Sequence, residues 1–182
     1  MLFIIGMSRA GKTEIGKTLA ERNNTGFFDT DAELEKKYGI PVSDVYKILG
    51  EKGFRCAETD ILKKTALRCE NKDTVICTGG GIAENAEAAA FLKNSKRSVL
   101  IDTDAEIIFA RIKKENEAGK GFPKFLGENL NNEEKAAAAF YAVYNRRIKI
   151  YRKIAAFIFL PDFFSLSPQA AAEAIEKFFL CH

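Results

Sequence analysis

The sequence predicts an α/β fold, a parallel sheet with crossover helices, and three observations carry that expectation. Short apolar runs alternate with longer amphipathic segments along the 182 residues, which is the pattern of strands joined by helices. The first apolar run leads directly into a glycine-bounded loop, Gly6-Met7-Ser8-Arg9-Ala10-Gly11-Lys12-Thr13, and then into helical spacing. Polar residues gather where later runs end, the place where open α/β sheets bind ligands.

Residues 2–5 are wholly apolar, as a strand covered on both faces should be. Residues 13–22 have helical spacing, with Ile15, Leu19 and Ala20 on one side. Phe27-Phe28 reads as a second short strand, closed by Asp29-Thr30-Asp31. Residues 32–67 read as two or three helices, broken near Gly39-Ile40-Pro41 and again between Gly50 and Gly53. A third strand spans 74–78 and ends in Gly79-Gly80-Gly81. Residues 86–92 are helical, 98–101 form a fourth strand, and 104–114 form a helix with Asp104 near its N-terminus. From 115 to 132 the periodicity dissolves into Gly, Asn, Lys and Glu. A loop of that length in a compact domain is usually functional, commonly a lid over an active site. A long helix over 133–153, a fifth strand over 156–160 and a closing helix over 168–179 complete the chain. With no internal repeat and no flexible linker, one domain over 1–182 is expected, its lid at about 115–132.

Composition narrows the chemistry. Hydrophobic residues make up 47% and charged residues 29%, values of a folded, soluble chain. The net charge of +3, from 28 basic and 25 acidic residues, is too small to argue for nucleic acid but suits anionic small molecules. The cysteines at 56, 69, 77 and 181 form no CxxC pair, and the only histidine is His182. A zinc site lacks its usual ligands, and a Ser-His or Cys-His nucleophile would need a terminal base. The cysteines are expected to be reduced and mostly buried. The N-terminal apolar stretch lacks a basic flank and a cleavage site, and no run reaches membrane-spanning length. The expected place of work is the cytoplasm.

The loop at 6–13 fits GxxxxGK[ST] at every fixed position, with a strand before it and a helix after it. Phosphate oxygens must meet several backbone N–H groups at once, and a curled loop with a helix N-terminus supplies them. Gly6 and Gly11 permit the tight backbone, Lys12 is expected to reach the outer phosphates, and Thr13 to offer its hydroxyl to Mg²⁺. Arg9 stands where a small residue would be ordinary. Two roles are open for it, a cation near the phosphates or a side chain pointing to solvent.

On the acceptor side, Asp29-Thr30-Asp31 follows the second strand, and Phe54-Arg55-Cys56-Ala57-Glu58 places Arg55 and Glu58 one helical turn apart. Gly79-Gly80-Gly81 follows the third strand, and Arg146-Arg147 lies in the helix after the lid. Singly, each has a purely structural explanation: a cap, a surface ion pair, a turn, a solvated face. Together and in this order, the loop at 6–13, FxDTD (27–31), FRxxE (54–58), GGG (79–81) and an arginine four residues before a tyrosine (Arg147, Tyr151) resemble the shikimate kinase family over essentially the whole chain.

The resemblance implies a P-loop kinase of three layers, like the nucleoside monophosphate kinases, with a five-stranded parallel sheet and a lid. It implies transfer of the γ-phosphoryl of ATP, with Mg²⁺, to the 3-hydroxyl of shikimate on the way to aromatic amino acids, by a monomer with no nucleic-acid or membrane partner. Carried over position by position, Arg9, Ala10, Gly11, Lys12, Thr13, Glu14 and Arg111 would bind ATP, with Arg111 stacked on adenine. Lys12 and Asp31 would be catalytic, Asp31 receiving the acceptor hydroxyl. Thr13 and Asp29 would serve the metal. Arg55 and Arg147 would grip the substrate carboxylate, with Gly80 and Gly81 holding the ring. Arginine forks suit a carboxylate as lysine does not, and Glu58 would fix the Arg55 fork.

The chain departs from the family's pattern at the lid, where an Arg-Pro pair is replaced by Phe122-Pro123. Lys120 or Lys124 would then supply the cation, or the lid aligns differently, or turnover is slow. The stretch between Arg111 and Pro123 is a few residues longer than usual, Lys149 replaces a proline, and Arg9 a glycine. The competing readings are another small-acid kinase of gluconate type and a nucleotide-binding relative without catalysis.

Overall fold

Five short strands form the centre of the molecule: β1 (Leu2–Ile5), β2 (Gly26–Asp29), β3 (Thr74–Cys77), β4 (Ser98–Ile101) and β5 (Phe157–Phe159). The computed structural model describes residues 1–127, 132–161 and 167–180. All four strand pairings are parallel and the order is β2-β3-β1-β4-β5. The central strands are the most apolar because helices cover both their faces. Phe3, Ile4, Ile5, Val99 and Leu100 are fully buried, whereas Ile158 on the edge strand β5 is partly exposed.

The helices are α1 (Lys12–Arg22), α2 (Thr30–Tyr38), α3 (Val42–Arg68), α4 (Ala86–Ser95), α5 (Ala105–Glu115), α6 (Glu133–Ile154) and α7 (Pro168–Leu180). Every strand and helix expected from the sequence is present, with ends moved by a few residues. The expected breaks in 32–67 are a gap between α2 and α3 and a kink inside α3, where Gly50 takes φ 64° and ψ 176°. Several helices begin on the side-chain caps their sequences announce. Asp29, Asn85, Asp104 and Asn132 each accept a hydrogen bond from a backbone N–H in the first turn.

Connections from β1 and β4 leave in opposite directions, toward β2 and β5, so a crevice opens at the carboxyl ends of the central strands. One core fills the space around the sheet, while a smaller one (Leu34, Val45, Phe54, Ala57, Ile61) joins α2 to α3. That second core carries the α3 segment bearing Arg55 and Glu58.

The segment expected to be an irregular lid contains some structure. Residues Asn116–Lys120 form a π-helical turn after α5, and Lys124–Leu126 a 3₁₀ turn. Leu126 is buried, and Phe122 and Phe125 pack partly buried on the main core. The position expected to hold a lid arginine therefore serves as an apolar anchor. The side chains of Lys120 and Lys124, the proposed substitutes, lie outside the described residues, as do residues 128–131. Cys69 and Cys77 are buried and Cys56 is exposed, all with free thiols, while Cys181 and His182 lie outside the described residues. Among the described residues, no helix is long and apolar enough to cross a membrane.

Candidate active site

Two adjoining cavities occupy the crevice. The larger, about 660 Å³, is lined by the loop between β1 and α1 together with Asp29, Asp31, Arg111 and Lys114. The smaller, about 160 Å³, lies between α2, α3, the turn after β3, and α6. Ser8, Asp31 and Gly80 line both, so they mark the wall across which one ligand would meet the other.

The loop is curled because Gly6, Arg9 and Gly11 all take positive φ. Arg9, at φ 65°, is the one residue among them that carries a side chain there. Thr103 donates to the Ala10 carbonyl at 2.9 Å and the Ala10 N–H donates to Met7 at 3.2 Å. Ala10 is thus buried behind the loop, whereas Gly11, Lys12, Thr13 and Glu14 line the cavity. Lys12 is buried and donates to the Met7 carbonyl at 2.8 Å. Burial lowers its pKa from the ordinary lysine value, although Asp31 and Asp29 pull the other way. Thr13 Oγ1 donates to Asp29 Oδ2 at 2.9 Å, bringing the two expected metal-associated oxygens together.

Arg9, whose role the sequence left open, and Arg111, expected to stack on adenine, are both engaged. The Arg9 guanidinium binds Glu115 through Nε (3.1 Å) and Nη2 (2.7 Å), and donates from Nη1 to Ser8 Oγ at 3.1 Å. Arg111 Nη1 donates to the Arg9 carbonyl at 2.6 Å, holding the loop from outside while lining the cavity.

Asp31 sits in the first turn of α2, where its N–H donates to the Asp29 cap at 3.0 Å. Burial, reinforced by the neighbouring Asp29 charge and only partly offset by Lys12, pushes its carboxyl up to about 6. Gly79 gives Asp31 its room, since a Cβ there would lie 2.5 Å from Asp31 Oδ1. Gly80 is needed for a different reason: a Cβ would run into the Ser8 backbone, so only glycine lets the β3 turn touch the loop.

The smaller cavity is walled by two guanidinium groups. Arg55 Nη1 donates to Glu58 Oε2 at 3.1 Å and to the Gly81 carbonyl at 3.3 Å. Glu58 is only 2% exposed and also accepts from Asn85 Nδ2 at 3.0 Å. On the opposite side, Arg147, itself buried, donates from Nη1 to the Gly80 carbonyl at 3.2 Å. Its Nη2 donates to Glu84 Oε2 at 2.6 Å, and its guanidinium stacks on Phe125 of the lid segment, 5.2 Å from the ring centroid. The Nε atoms of Arg55 and Arg147 are buried without a hydrogen-bond partner. Both guanidinium groups line one small cavity, and two such forks suit an anionic ligand.

Every residue that the sequence assigned to the acceptor therefore lines this cavity: Asp31, Arg55, Gly80, Gly81 and Arg147. Sequence reading missed Glu84, which contacts Arg147, Arg146 and, at 3.7 Å, Arg55 Nη2. Burial would raise the Glu84 carboxyl, but hydrogen bonds from Arg147 and Arg146 outweigh it and hold its pKa below the usual value. Its only sequence signal was its place three residues beyond the triple glycine. Asn85 and Phe125 were also missed, Asn85 because one side chain both caps α4 and braces Glu58.

Comparison with known proteins agrees with this geometry. The family model for shikimate kinase matches residues 8–178. A shikimate kinase of Staphylococcus epidermidis is 34% identical over 154 residues, covering 85% of this chain and 82% of its own. Among solved structures, shikimate kinase from Acinetobacter baumannii in complex with shikimate superposes with a TM-score of 0.79 at 26% identity, covering 99% of this chain and 92% of that one. The enzyme from Aquifex aeolicus gives 0.75 at 25% identity, with coverage of 99% and 96%. With the loop, the paired arginines and the Asp31 wall all in place, the chain belongs to the shikimate kinase family.

Proposed function

We infer that the protein transfers the terminal phosphoryl group of ATP to the 3-hydroxyl of shikimate, forming shikimate 3-phosphate. The observation that carries this reading is the pair of arginines, Arg55 and Arg147, lining one cavity on the far side of Asp31 from the Lys12 cavity. Such a pocket suits a small acceptor bearing one carboxylate, held by two forks with its hydroxyl turned toward Asp31.

The residues have distinct tasks. Gly11, Lys12, Thr13 and Glu14 hold the nucleotide, Lys12 supplying the cation for the outer phosphates. Thr13 and Asp29 offer hard oxygens 2.9 Å apart, a donor set that fits Mg²⁺, which keeps few protein ligands alongside water and phosphate. When bound, that ion neutralises charge on the transferring group. Asp31, ionised above about pH 6, accepts the hydrogen bond of the acceptor hydroxyl. As the acceptor oxygen bonds to the γ-phosphorus and the bond to the β-phosphate oxygen breaks, the hydroxyl proton passes to Asp31. Arg55, Arg147 and the Gly80–81 backbone hold the ring for that attack. Arg111 steadies the loop through the Arg9 carbonyl and lines the nucleotide cavity. We assign the protein to the cytoplasm, in keeping with the free thiols of Cys56, Cys69 and Cys77, and propose that it acts as a monomer.

No arginine lies between Arg111 and Arg146 in the sequence, so the lid brings no guanidinium, and the competing readings need a direct test. ADP release is measured in a coupled assay with shikimate and with gluconate. Turnover with shikimate alone is expected. Turnover with gluconate instead would move the protein to another acceptor class, and nucleotide binding without turnover on either acid would make it a non-catalytic relative.

A further inference from the structure

Arg55 and Arg147 are held in matching ways, and the match gives a role to Glu84. Each guanidinium donates to one carbonyl of the glycine turn and to one carboxylate, and each keeps its Nε free. For Arg55 the carboxylate is Glu58 and the carbonyl Gly81; for Arg147 they are Glu84 and Gly80. Arg147 is tied through both terminal nitrogens and Arg55 twice through Nη1, which restrains rotation about the last bonds and so the direction of the remaining donors. Glu58 is buried and needs no counter-ion beyond Arg55 and the Asn85 amide.

Glu84 differs, because it is 20% exposed and its Oε2 lies within reach of both forks. An uncancelled carboxylate there would repel an incoming acid. Arg146 removes that problem. It donates from Nε to Glu84 Oε1 at 2.8 Å and from Nη2 to the same oxygen. Among the ion-paired groups, three guanidinium groups against Glu58 and Glu84 leave one positive charge for an acceptor carboxylate, while Asp31, which also lines the cavity, serves the hydroxyl.

We propose that Glu84 is a positioning residue for the acceptor, fixing the Arg147 fork with Arg146 as its counter-ion. The proposal rests on Arg55 and Arg147 being the carboxylate-binding pair. Glu84 is anchored for this task on a 3₁₀ turn, its N–H donating to the Gly81 carbonyl at 3.0 Å.

The test compares steady-state constants of the full chain, its Glu84→Gln and Arg146→Gln variants, and the double variant. Glu84→Gln is expected to raise KM for shikimate about tenfold, the equivalent of one charge-assisted hydrogen bond. Its kcat and KM for ATP should stay within about twofold, a split that general loosening of the fold would not give. Arg146→Gln should raise the same KM in the parent and do nothing further in the Glu84→Gln background, because it acts through Glu84. If Glu84→Gln does not fold, Glu84→Asp, which keeps the charge but shortens the reach, should give a smaller rise in the same constant. An unchanged KM overturns the proposal. So does a lowered KM, which would make Glu84 an internal competitor that occupies the forks until substrate displaces it. Arg147→Lys is run beside them: if it leaves KM for shikimate unaltered, the carboxylate-site reading fails, whereas a raised KM there with a silent Glu84→Gln sinks only the role of Glu84.

Discussion

The two halves of the crevice are built by opposite strategies. The nucleotide side is built around consecutive residues, 6–14, whose backbone is bent by positive φ at three positions; Asp29, Arg111 and Lys114 complete its wall, and its deeply placed cation is Lys12. The acceptor side comes from α2, α3, the β3 turn and α6, and it works through side chains braced by other side chains. The first strategy makes a site that tolerates little change but depends on few partners. The second makes a site whose specificity is spread over a network, so that damage to one member reaches the others. Substitutions on the two sides should therefore fail differently.

The largest effect is expected from Lys12→Met. Phosphoryl transfer depends on charge stabilisation at fixed positions, so kcat should fall by roughly 10³ or more. Stability should move the other way. Burial holds the folded-state pKa of Lys12 below its unfolded value, so the folded protein binds this proton less readily and its charge costs stability at neutral pH. Thermal unfolding of Lys12→Met should occur at the parent temperature or above it. A large fall in melting temperature would mean that the lysine is part of the scaffold.

Arg55→Ala is the counterpart on the acceptor side. Loss of the fork should raise KM for shikimate by roughly a hundredfold, a loss in the range of a charge-assisted hydrogen bond, with KM for ATP nearly unchanged. Here stability should fall too, because Glu58, 2% exposed, keeps only the Asn85 amide. Stranding a buried carboxylate costs on the order of 3 kcal/mol. Equal losses for both substrates would erase the distinction between the two sides.

The same contrast explains what could be read from the sequence. Strands and helices were legible because their apolar periods are local, and the nucleotide loop because its geometry needs particular residues at fixed spacing. Arg55 with Glu58 was legible as one helical turn. Glu84 was not, because its partners Arg146 and Arg147 are more than sixty positions away and only the packing of α6 against the β3 turn brings them together. The lid resisted for a related reason. Its composition announced a loop, but the placement of Phe122 and Phe125 on the core depends on what lies beneath them.

Asp31 belongs to both halves and gives a pH signature. Its carboxyl, pushed up to about 6 by burial and Asp29, must be ionised to accept the hydroxyl proton. Below that value, kcat/KM for shikimate should fall about tenfold per pH unit, as for a single essential base of the free enzyme. Asp31→Asn should lower the rate and abolish the acid limb. A profile that stays flat down to pH 5 would remove Asp31 from the proton transfer.

The smallest expected effect concerns Arg9, the side-chain-bearing residue of the nucleotide loop that stands at positive φ. Arg9 takes φ 65°, a conformation that costs a side-chain-bearing residue about 1 kcal/mol and glycine very little. Its ion pair with Glu115 is about one-third exposed at both ends and is worth under about 1 kcal/mol. In Arg9→Gly these terms nearly cancel, so the melting temperature should hardly change. KM for ATP separates the two roles. A cation that leaves Glu115 for the phosphates should, when removed, raise KM for ATP about two- to fivefold, in the range of one exposed charged contact, and leave KM for shikimate alone. If both constants stay at parent values, Arg9 is a surface latch, and the nucleotide side works through its backbone and Lys12.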